Sequence, residues 1–312
     1  MNEGDRVIPR CVPADARGDR VIGDDPSFSR SPHAPPSPPE VSPSPSPSVT
    51  PWRSELLSSI PGVAHGLTRR VEGLGRADGN IGFSPPRDRD DAWAMRRRWC
   101  AALDLVPEHL VTLGQIHGCD VRIATEANAG YGAKPGSSQI GLGDALVTNQ
   151  IGPVLMTLHA DCQPVLVVDP GAGRRGPAVG VAHAGWRGTV ANTVGAMLAV
   201  MTSAFGTRAE DVHVVLGPAI GRCCYDVGED VVEAWRQTAG ADAGEALATD
   251  GQRRRFSLAT ANALLLNRAG LRAANMEVSE ICTKCNGDRW FSHRGQGAQT
   301  GRFGAMISIH GG

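Results

Sequence analysis

Three segments of this sequence place a metal-capable side chain beside small residues or a turn. They are QIHG at 115–118, HADC at 159–162 and HAGWRG at 183–188. Small neighbours let the backbone approach a ligand closely. His117, Cys162 and His183 offer two imidazoles and one thiolate, a donor set that suits zinc. Three protein ligands leave the fourth tetrahedral position for water or substrate. These residues therefore predict a catalytic rather than a structural zinc site.

The same residues allow a second chemistry, that of a cysteine hydrolase. Cys162 would be the nucleophile and His183 its general base. A dyad needs an orienting group, whereas zinc needs a third ligand, and His117 therefore favours the metal site. A non-enzymatic binding module is a third alternative. The concentration of polar and metal-capable residues in glycine-rich turns argues against it.

Copper is the alternative metal. Two histidines and a cysteine, with Met156 as a distant axial group, match the ligand types of a single blue-copper centre. A multicopper phenol oxidase uses many His-x-His pairs, and this chain has nine histidines and no such pair. We therefore expect zinc, with copper and a copper-dependent phenol oxidase as the less favoured reading.

Four other cysteines lie in two short segments. Cys282 and Cys285 have the C-x-x-C spacing of a redox pair or of half a structural zinc site. The chain has no second C-x-x-C, and Cys223 is adjacent to Cys224, which is an awkward spacing for two ligands of one ion. The sequence therefore predicts unlinked thiols in both segments.

Composition narrows the partners and the compartment. The net charge of the 312 residues is −1, which gives no electrostatic reason to expect nucleic acid or an anionic membrane as a partner. No stretch approaches the roughly 20 apolar residues of a membrane helix, and the first residues lack the positive-then-apolar order that is typical of a secretory signal. Eight cysteines are too few for a disulfide-stapled secreted scaffold of this length. We therefore expect a cytoplasmic protein.

The chain divides into two parts. Residues 1–51 end in a Pro/Ser-rich tract that cannot bury a core, and we expect this tail to be disordered. Residues 52–312 are expected to form one catalytic domain. Its strand and helix patterns alternate irregularly, which favours a mixed-sheet α/β fold. The predicted strands are 63–68, 110–115, 121–124, 146–148, 154–158, 165–168, 178–182, 212–216 and 303–309. The predicted helices are 91–103, 189–205, 229–235 and 258–269.

A series of motifs from about residue 60 to the C-terminus resembles one known family. The motifs are NIG at 80–82, QIHG at 115–118, DALVT at 144–148, ADCQP at 160–164, HAGWRG at 183–188, GPAIG at 217–221, CCYDVG at 223–228, CT at 282–283, FSHR at 291–294 and GR at 301–302. They occur in the order of the YfiH-like, or laccase-domain, family, formerly named multicopper polyphenol oxidases. The Pro/Ser tail lies outside the resemblance.

The resemblance implies a fold, an activity and a metal. The fold is a four-layer αββα sandwich of mixed sheets and flanking helices. The activity is that of a zinc-dependent purine nucleoside phosphorylase with adenosine deaminase activity, acting on adenosine, inosine, guanosine and methylthioadenosine without a fixed preference. The family's zinc ligands fall on His117, Cys162 and His183. Purine nucleosides and phosphate are then the partners, and the protein is expected to be a monomer or a homodimer.

Further site residues follow from the matching motifs. Three arginines are candidate phosphate ligands because guanidinium groups suit phosphate, although each could equally form a structural salt bridge. They are Arg187 and Arg302 of the motifs above and Arg69 of the segment GLTR at 66–69, which keeps the family's Thr-Arg pair but not the Gly-Gly that usually follows it. Asn80 could bind a ribose hydroxyl or form a turn. Asp161 could carry protons during deamination, provided that the chain turns there, or it could orient a loop.

Two further features concern the neighbours of this site. His159 stands where the family usually has a smaller residue, and it could act as a further ligand or as a partner of the ligands. The aromatic side chains of Tyr225 and 290–291 could stack on a purine, although packing in the core is the favoured role for them.

Overall fold

The computed structural model describes residues 48–171 and 176–311. Residues 1–47 of the predicted tail at 1–51 lie outside these ranges. Val49 packs against a buried cluster, and Trp52 pairs with Leu67 through an isolated bridge. The chain therefore already belongs to the folded body at the end of the predicted tail.

Two β-sheets pack face to face at the centre of the domain. The four-stranded sheet has the order β1-β13-β5-β2, and the six-stranded sheet has the order β12-β8-β6-β7-β4-β3. The strands of the first are β1 Val63–Leu67, β2 Leu110–Val111, β5 Val154–His159 and β13 Phe303–Ile309. Those of the second are β3 Val121–Ile123, β4 Ala145–Thr148, β6 Gln163–Asp169, β7 Ala178–Ala184, β8 His213–Leu216 and β12 Met276–Val278.

Both sheets are mixed, because β2 and β5, β3 and β4, and β8 and β12 pair in parallel and the other neighbours are antiparallel. Helices cover the outer face of each sheet. The helices are α1 Glu55–Ser58, α2 Arg89–Ala102, α3 Trp186–Val190, α4 Thr193–Phe205, α5 Glu229–Ala239, α6 Ala243–Ala246, α7 Leu258–Arg268 and α8 His293–Gln296.

Buried clusters on both sides of each sheet define four layers. One cluster between the sheets joins Leu155 and Ile307 of the small sheet to Leu166 and Val181 of the large one. A second lies between the large sheet and α4, α5 and α7, and a third lies between the small sheet and α2. Every residue of β6, β7 and β13 is buried, which explains their continuous apolar runs. The predicted αββα arrangement is confirmed.

The predicted helix at 189–205 is wrong as one element. The chain forms α3 and α4 instead, and Asn192 between them adopts φ 60°. Its side-chain oxygen accepts a hydrogen bond from the Gly195 N–H and caps α4. Asparagine tolerates the left-handed region and is a strong N-cap residue. An apolar periodicity that continues through the break conceals it.

Other differences concern short, polar strands. The predicted strand 110–115 ends at Val111. A three-stranded antiparallel sheet was not predicted, and its strands are β9 Asp226–Val227, β10 Leu247–Asp250 and β11 Arg253–Phe256. Three arginines occupy β11, and ion pairs such as Arg255 with Asp226 at 2.8 Å hold this sheet at the surface.

No helix in the described ranges is both long and apolar enough to cross a bilayer.

One buried cation, Arg96, ties the segment 81–83 to helix α2. Arg96 of α2 is 2% exposed, and its guanidinium donates to the carbonyl oxygens of Ile81, Gly132 and Ala133 at 2.9, 2.6 and 3.0 Å. It also lies 3.6 Å above the Phe83 ring. Burial lowers the pKa of Arg96 to about 9, so it stays charged at neutral pH and ties 81–83 to α2.

His65 links the stability of the fold to pH. This β1 side chain is 3% exposed, and its Nε2 accepts a hydrogen bond from the Ser54 N–H at 3.0 Å. Burial, with the nearby charge of Arg53, lowers the pKa of His65 from 6.5 to about 4. The unfolded chain therefore binds more protons between these two pH values, and stability is lost as the pH falls through this window.

Replacing His65 with glutamine tests this coupling. Glutamine keeps an acceptor near the Ser54 N–H and does not titrate. Between about pH 7.5 and about pH 5, we expect the wild type to lose about 2 kcal/mol more unfolding free energy than H65Q. Urea unfolding at both pH values measures the difference. Equal losses in the two proteins would contradict the expectation.

Candidate metal centre and cavity

The Asp144 carboxylate joins two of the predicted ligands. It is fully buried at the start of β4. Its Oδ2 accepts from the Gly118 and Ile116 N–H groups at 2.6 and 3.2 Å, and its Oδ1 accepts from the His117 N–H at 3.1 Å. Oδ1 also lies 2.9 Å from His183 Nδ1. Because a carboxylate oxygen accepts, Nδ1 of His183 carries the proton and Nε2 is left for the cluster.

The loop that carries His117 folds around this carboxylate. Three successive N–H groups, at 116–118, converge on Asp144, and His117 itself adopts φ 60°. Burial opposes ionisation of Asp144, but the hydrogen bonds from His183 and from the loop hold its pKa below the usual value. A charged carboxylate thus determines where the His117 side chain can lie.

Cys162 belongs to the tight turn between β5 and β6, where Asp161 adopts φ 89°. Gly185 follows β7 and lies against this turn. A Cβ atom at Gly185 would come 2.8 Å from Cys162 Sγ and 3.2 Å from His117 Cδ2. Glycine is needed there because the backbone approaches two of the predicted ligands closely.

The structure brings the three predicted ligands together. The ligand atoms of His117, Cys162 and His183 all lie within 4.8 Å of one another, and the two imidazole rings meet edge to face at 4.9 Å. Burial opposes ionisation of the Cys162 thiol, yet the His183 charge and hydrogen bonds from both histidines lower its pKa to about 6. Two imidazoles and a thiolate at this spacing fit a zinc ion with one open position.

His159 is held by other partners. It is 1% exposed, its Nδ1 lies 3.2 Å from the Cys162 carbonyl oxygen, and its Nε2 lies 2.8 Å from Thr157 Oγ1. A carbonyl only accepts, so Nδ1 donates to it and Nε2 accepts from the hydroxyl. Burial and the neighbouring His183 charge lower the pKa of His159 well below its usual value. This neutral ring supports the turn that presents Cys162.

The Asp161 carboxylate lines the cavity and is hydrogen-bonded to two residues from the C-terminal part of the chain. Its Oδ1 accepts from Thr283 Oγ1 and its Oδ2 from the Arg294 N–H, both at 2.6 Å. The chain does turn at this residue, as the sequence-based argument required. Both oxygens hold neighbouring segments in place.

The three candidate ligands lie in the wall of a cavity of about 660 Å³. That volume is within the range of small-molecule sites. Its cationic wall includes three arginines, and its apolar and aromatic wall includes side chains from several loops. The arginines are Arg187, Arg294 and Arg302, and the apolar and aromatic group comprises Leu113, Leu158, Trp186, Ile220, Tyr225 and Leu258.

The predicted substrate residues separate into two groups. Arg187 and Arg302 line the cavity. Asn80 lies behind its wall, where it is 1% exposed and its Oδ1 accepts from the Gly82 and Arg302 N–H groups at 3.1 and 2.8 Å. Arg69 is not among the lining residues, and its Nε donates to the Thr50 carbonyl oxygen at 2.9 Å.

Sequence reasoning assigned no role to some of the cavity residues. Arg294 and His293 line the cavity, and the Arg294 guanidinium lies 5.3 Å above the Tyr225 ring. Both belong to the FSHR motif, which was the available signal. Tyr225 was expected to pack in the core, but it lines the cavity as well. For 290–291 core packing is confirmed, since both residues are buried.

A second group of metal-capable side chains lies outside the cavity lining. The Sγ atoms of Cys223, Cys224, Cys282 and Cys285 all lie within 4.8 Å of one another. The four thiols are free, as predicted, but the two segments form one cluster. Sequence spacing could not reveal this, because about sixty residues separate the two pairs.

Comparison with known proteins finds a matching family, similar sequences and similar solved structures. A family model described as multi-copper polyphenol oxidoreductase laccase matches residues 64–310. The protein named purine nucleoside phosphorylase YlmD, from Geobacillus stearothermophilus, is 35% identical over 250 residues, which cover 79% of this chain and 90% of the relative. A crystal structure of YlmD from the same organism has a TM-score of 0.76 at 34% identity and covers 81% of this chain and 93% of that one.

A further relative carries a different name. The protein named adenosine deaminase RL5, from an unknown prokaryotic organism, is 32% identical over 197 residues, which cover 62% of this chain and 73% of the relative. The matched range 64–310 contains both sheets, apart from the first residue of β1, and all the cavity arginines. The chain therefore belongs to the laccase-domain, or YfiH-like, family.

Proposed function

We propose that this protein is a zinc-dependent purine nucleoside phosphorylase with adenosine deaminase activity. One observation carries the proposal: a cluster of two imidazoles and one thiolate shares a cavity with three guanidinium groups. The names of the relatives point to the same two reactions.

The donor set supports zinc as the metal. His117, Cys162 and His183 would hold the ion, and Asp144 would fix the tautomer of His183. When bound, the metal supplies a Lewis acid and lowers the pKa of water, which is the chemistry that deamination at the purine C6 requires. Nitrogen and thiolate ligands also suit copper, so the metal itself must be measured.

The arginines supply the phosphate site. In phosphorolysis, a phosphate oxygen forms a bond to the ribose C1′ while the C1′–N9 bond breaks and its electron pair stays on the purine. Arg302 donates to the Thr300 and Gly301 carbonyl oxygens at 2.8 and 2.9 Å, which fixes its fork. Burial and the Arg87 charge lower the pKa of Arg302 to about 10, so it stays cationic at neutral pH.

The remaining walls suit a nucleoside. Trp186 and Tyr225 offer aromatic faces for a purine, and each carries an arginine at its ring. Asn80, proposed from the sequence as a ribose ligand, acts here through the backbone of Arg302, which it anchors. Arg69 is assigned to the Thr50 contact rather than to phosphate.

Asp161 remains the candidate for proton transfer in deamination. It is the one carboxylate among the described residues that line the cavity. Each of its oxygens accepts a single hydrogen bond and keeps a second lone pair. Thr283 and Arg294 would hold it in position while it takes up or releases a proton.

The cysteine hydrolase is the second candidate, because Asp144, His183 and Cys162 follow one another as in a catalytic triad. The Asp144–His183 distance is 2.9 Å, and the pKa of Cys162 is lowered to about 6 by its histidine neighbours, against the opposing effect of burial. A triad leaves His117 without a role, whereas a metal requires it.

Replacing Cys162 with alanine separates these two functions. We expect the variant to contain one zinc per chain fewer than the wild type. In the wild type, base release from adenosine or inosine should require phosphate, and in the variant this release should be lost. Mass spectrometry of the metals and chromatography of the bases measure both. Cys100→Ala, at a buried position of α2, is the matched control and should keep metal and activity. The hydrolase would be favoured if the variant and the wild type had the same metal content, and if the wild type showed alkylation of Cys162 by iodoacetamide and no phosphate-dependent base release.

Replacing Asp144 with asparagine tests how the centre is held. The amide removes the charge that orients His183 and the 116–118 loop. Loss of such a partner weakens metal binding by roughly 10- to 100-fold, which competition with a chromogenic chelator measures. Asp120→Asn removes the same charge from an exposed position on the adjoining loop. An affinity equal in the two variants would contradict the role of Asp144.

Replacing Arg302 with glutamine tests the phosphate site. Loss of a hydrogen bond from a charged group costs about 1.5–3 kcal/mol, so we expect kcat/KM for phosphate to fall at least roughly tenfold. Deamination consumes no phosphate and should change little, which makes it an internal control. Arg272→Gln, at an exposed position, should change neither rate. Parallel losses of both activities in R302Q would refute a specific phosphate role.

A further inference from the structure

The four-cysteine cluster lies where two turns meet. Cys223 Sγ is 3.6 Å and Cys224 Sγ is 3.4 Å from Cys285 Sγ. These distances are too long for a disulfide, in which the sulfur atoms are about 2.05 Å apart. Zinc–sulfur bonds of about 2.3 Å correspond to tetrahedral sulfur–sulfur distances of about 3.8 Å. The observed spacing is therefore close to that of four thiolates around one ion.

Backbone contacts hold the two cysteine-containing turns close together. Ala219 and Cys282 form an isolated parallel bridge, and the Cys224 and Tyr225 N–H groups both donate to the Gly221 carbonyl oxygen. That turn directs two adjacent cysteines to the same side. A Cβ atom at Gly221 would come 3.1 Å from Cys282 Cβ and 3.2 Å from Cys223 Sγ, so the close approach depends on glycine.

Two backbone N–H groups favour a thiolate at Cys282. The Gly221 N–H donates to Cys282 Sγ at 3.2 Å, and the Cys285 N–H also donates to this sulfur. Four thiolates and a divalent ion carry two net negative charges, and basic side chains stand beside them. Arg222 and Lys284 are adjacent to the cysteines in the chain, and the Arg255 guanidinium donates to the Cys223 carbonyl oxygen.

We propose that Cys223, Cys224, Cys282 and Cys285 bind a second zinc ion, with a structural rather than a catalytic role. Four thiolates complete a tetrahedral shell and leave no open position. Sulfur-only tetrahedral sites are those of zinc or of iron–sulfur clusters. Free cysteines in reach of one another at a surface would otherwise be prone to oxidation. This inference concerns a different set of residues from the catalytic centre and does not depend on the reaction.

The second ion would stabilise one wall of the cavity. Thr283 lies between two of its ligands, and its hydroxyl donates to Asp161, the neighbour of Cys162. Tyr225 follows Cys224 directly and lines the cavity. The ion would thus join the turn that carries Tyr225 to the turn that holds Asp161, although those turns are distant in sequence.

Metal analysis of the full-length protein, purified under reducing conditions without chelator, tests the proposal. We expect two zinc ions per chain in the wild type, one in Cys162→Ala, and one in the double variant Cys224→Ser/Cys285→Ser. X-ray absorption at the zinc edge should give, for Cys162→Ala, an all-sulfur shell at about 2.3 Å. This second measurement leaves all four cluster cysteines intact and does not depend on whether the double variant folds.

Several outcomes would overturn the proposal. They are a Cys162→Ala protein without zinc, a remaining ion with nitrogen or oxygen in its shell, an iron–sulfur spectrum, or peptides that show disulfides among the four cysteines in the purified protein. The two proposals fail separately. An all-sulfur zinc site in a protein without phosphate-dependent base release would remove the proposed function alone. Activity with one zinc that is lost in Cys162→Ala would remove the second site alone.

Discussion

The candidate centre depends on one buried charge, the carboxylate of Asp144. It accepts from three N–H groups of the His117 loop and from the ring of His183, so a single group fixes the backbone of one ligand and the tautomer of another. A buried carboxylate is costly unless it is well hydrogen-bonded. The loop can therefore hardly take another path without exposing an unpaired charge. The β6–β7 pairing, which sets Gln163 opposite Ala184, then brings Cys162 to the same place.

The parts of the fold that could be predicted are those with long apolar runs. The central strands β6, β7 and β13 are buried on both faces, and each contains a continuous apolar run, so their existence followed from hydrophobic pattern alone. The break at Asn192 could not be found in this way, because the residues on both sides continue a helical pattern and a side-chain cap decides the outcome. The sheet containing β11 also escaped prediction, since ion pairs rather than apolar contacts hold its arginines.

At the site, ligand type could be predicted better than the direction of a side chain. The chemistry of His117, Cys162 and His183 pointed to one cluster, and the structure brings their ligand atoms together. Arg69 and Asn80 belong to equally suggestive motifs but turn to backbone groups, which depends on contacts with Thr50 and Arg302. The charge and hydrogen-bonding capacity of a residue are visible in a sequence. The partner that satisfies them is set by the fold.

The metal and hydrolase hypotheses differ in what the second imidazole, that of His117, does. In a triad, Asp144, His183 and Cys162 are sufficient, and the second imidazole beside the sulfur has no role. Here Gly185 lies so close that a single added carbon would meet both Cys162 and His117. Glycine at this position therefore lets the chain pass close beside both side chains. Two side chains held this close together suit the shared ion of the proposed zinc site, whereas a triad uses only one of them.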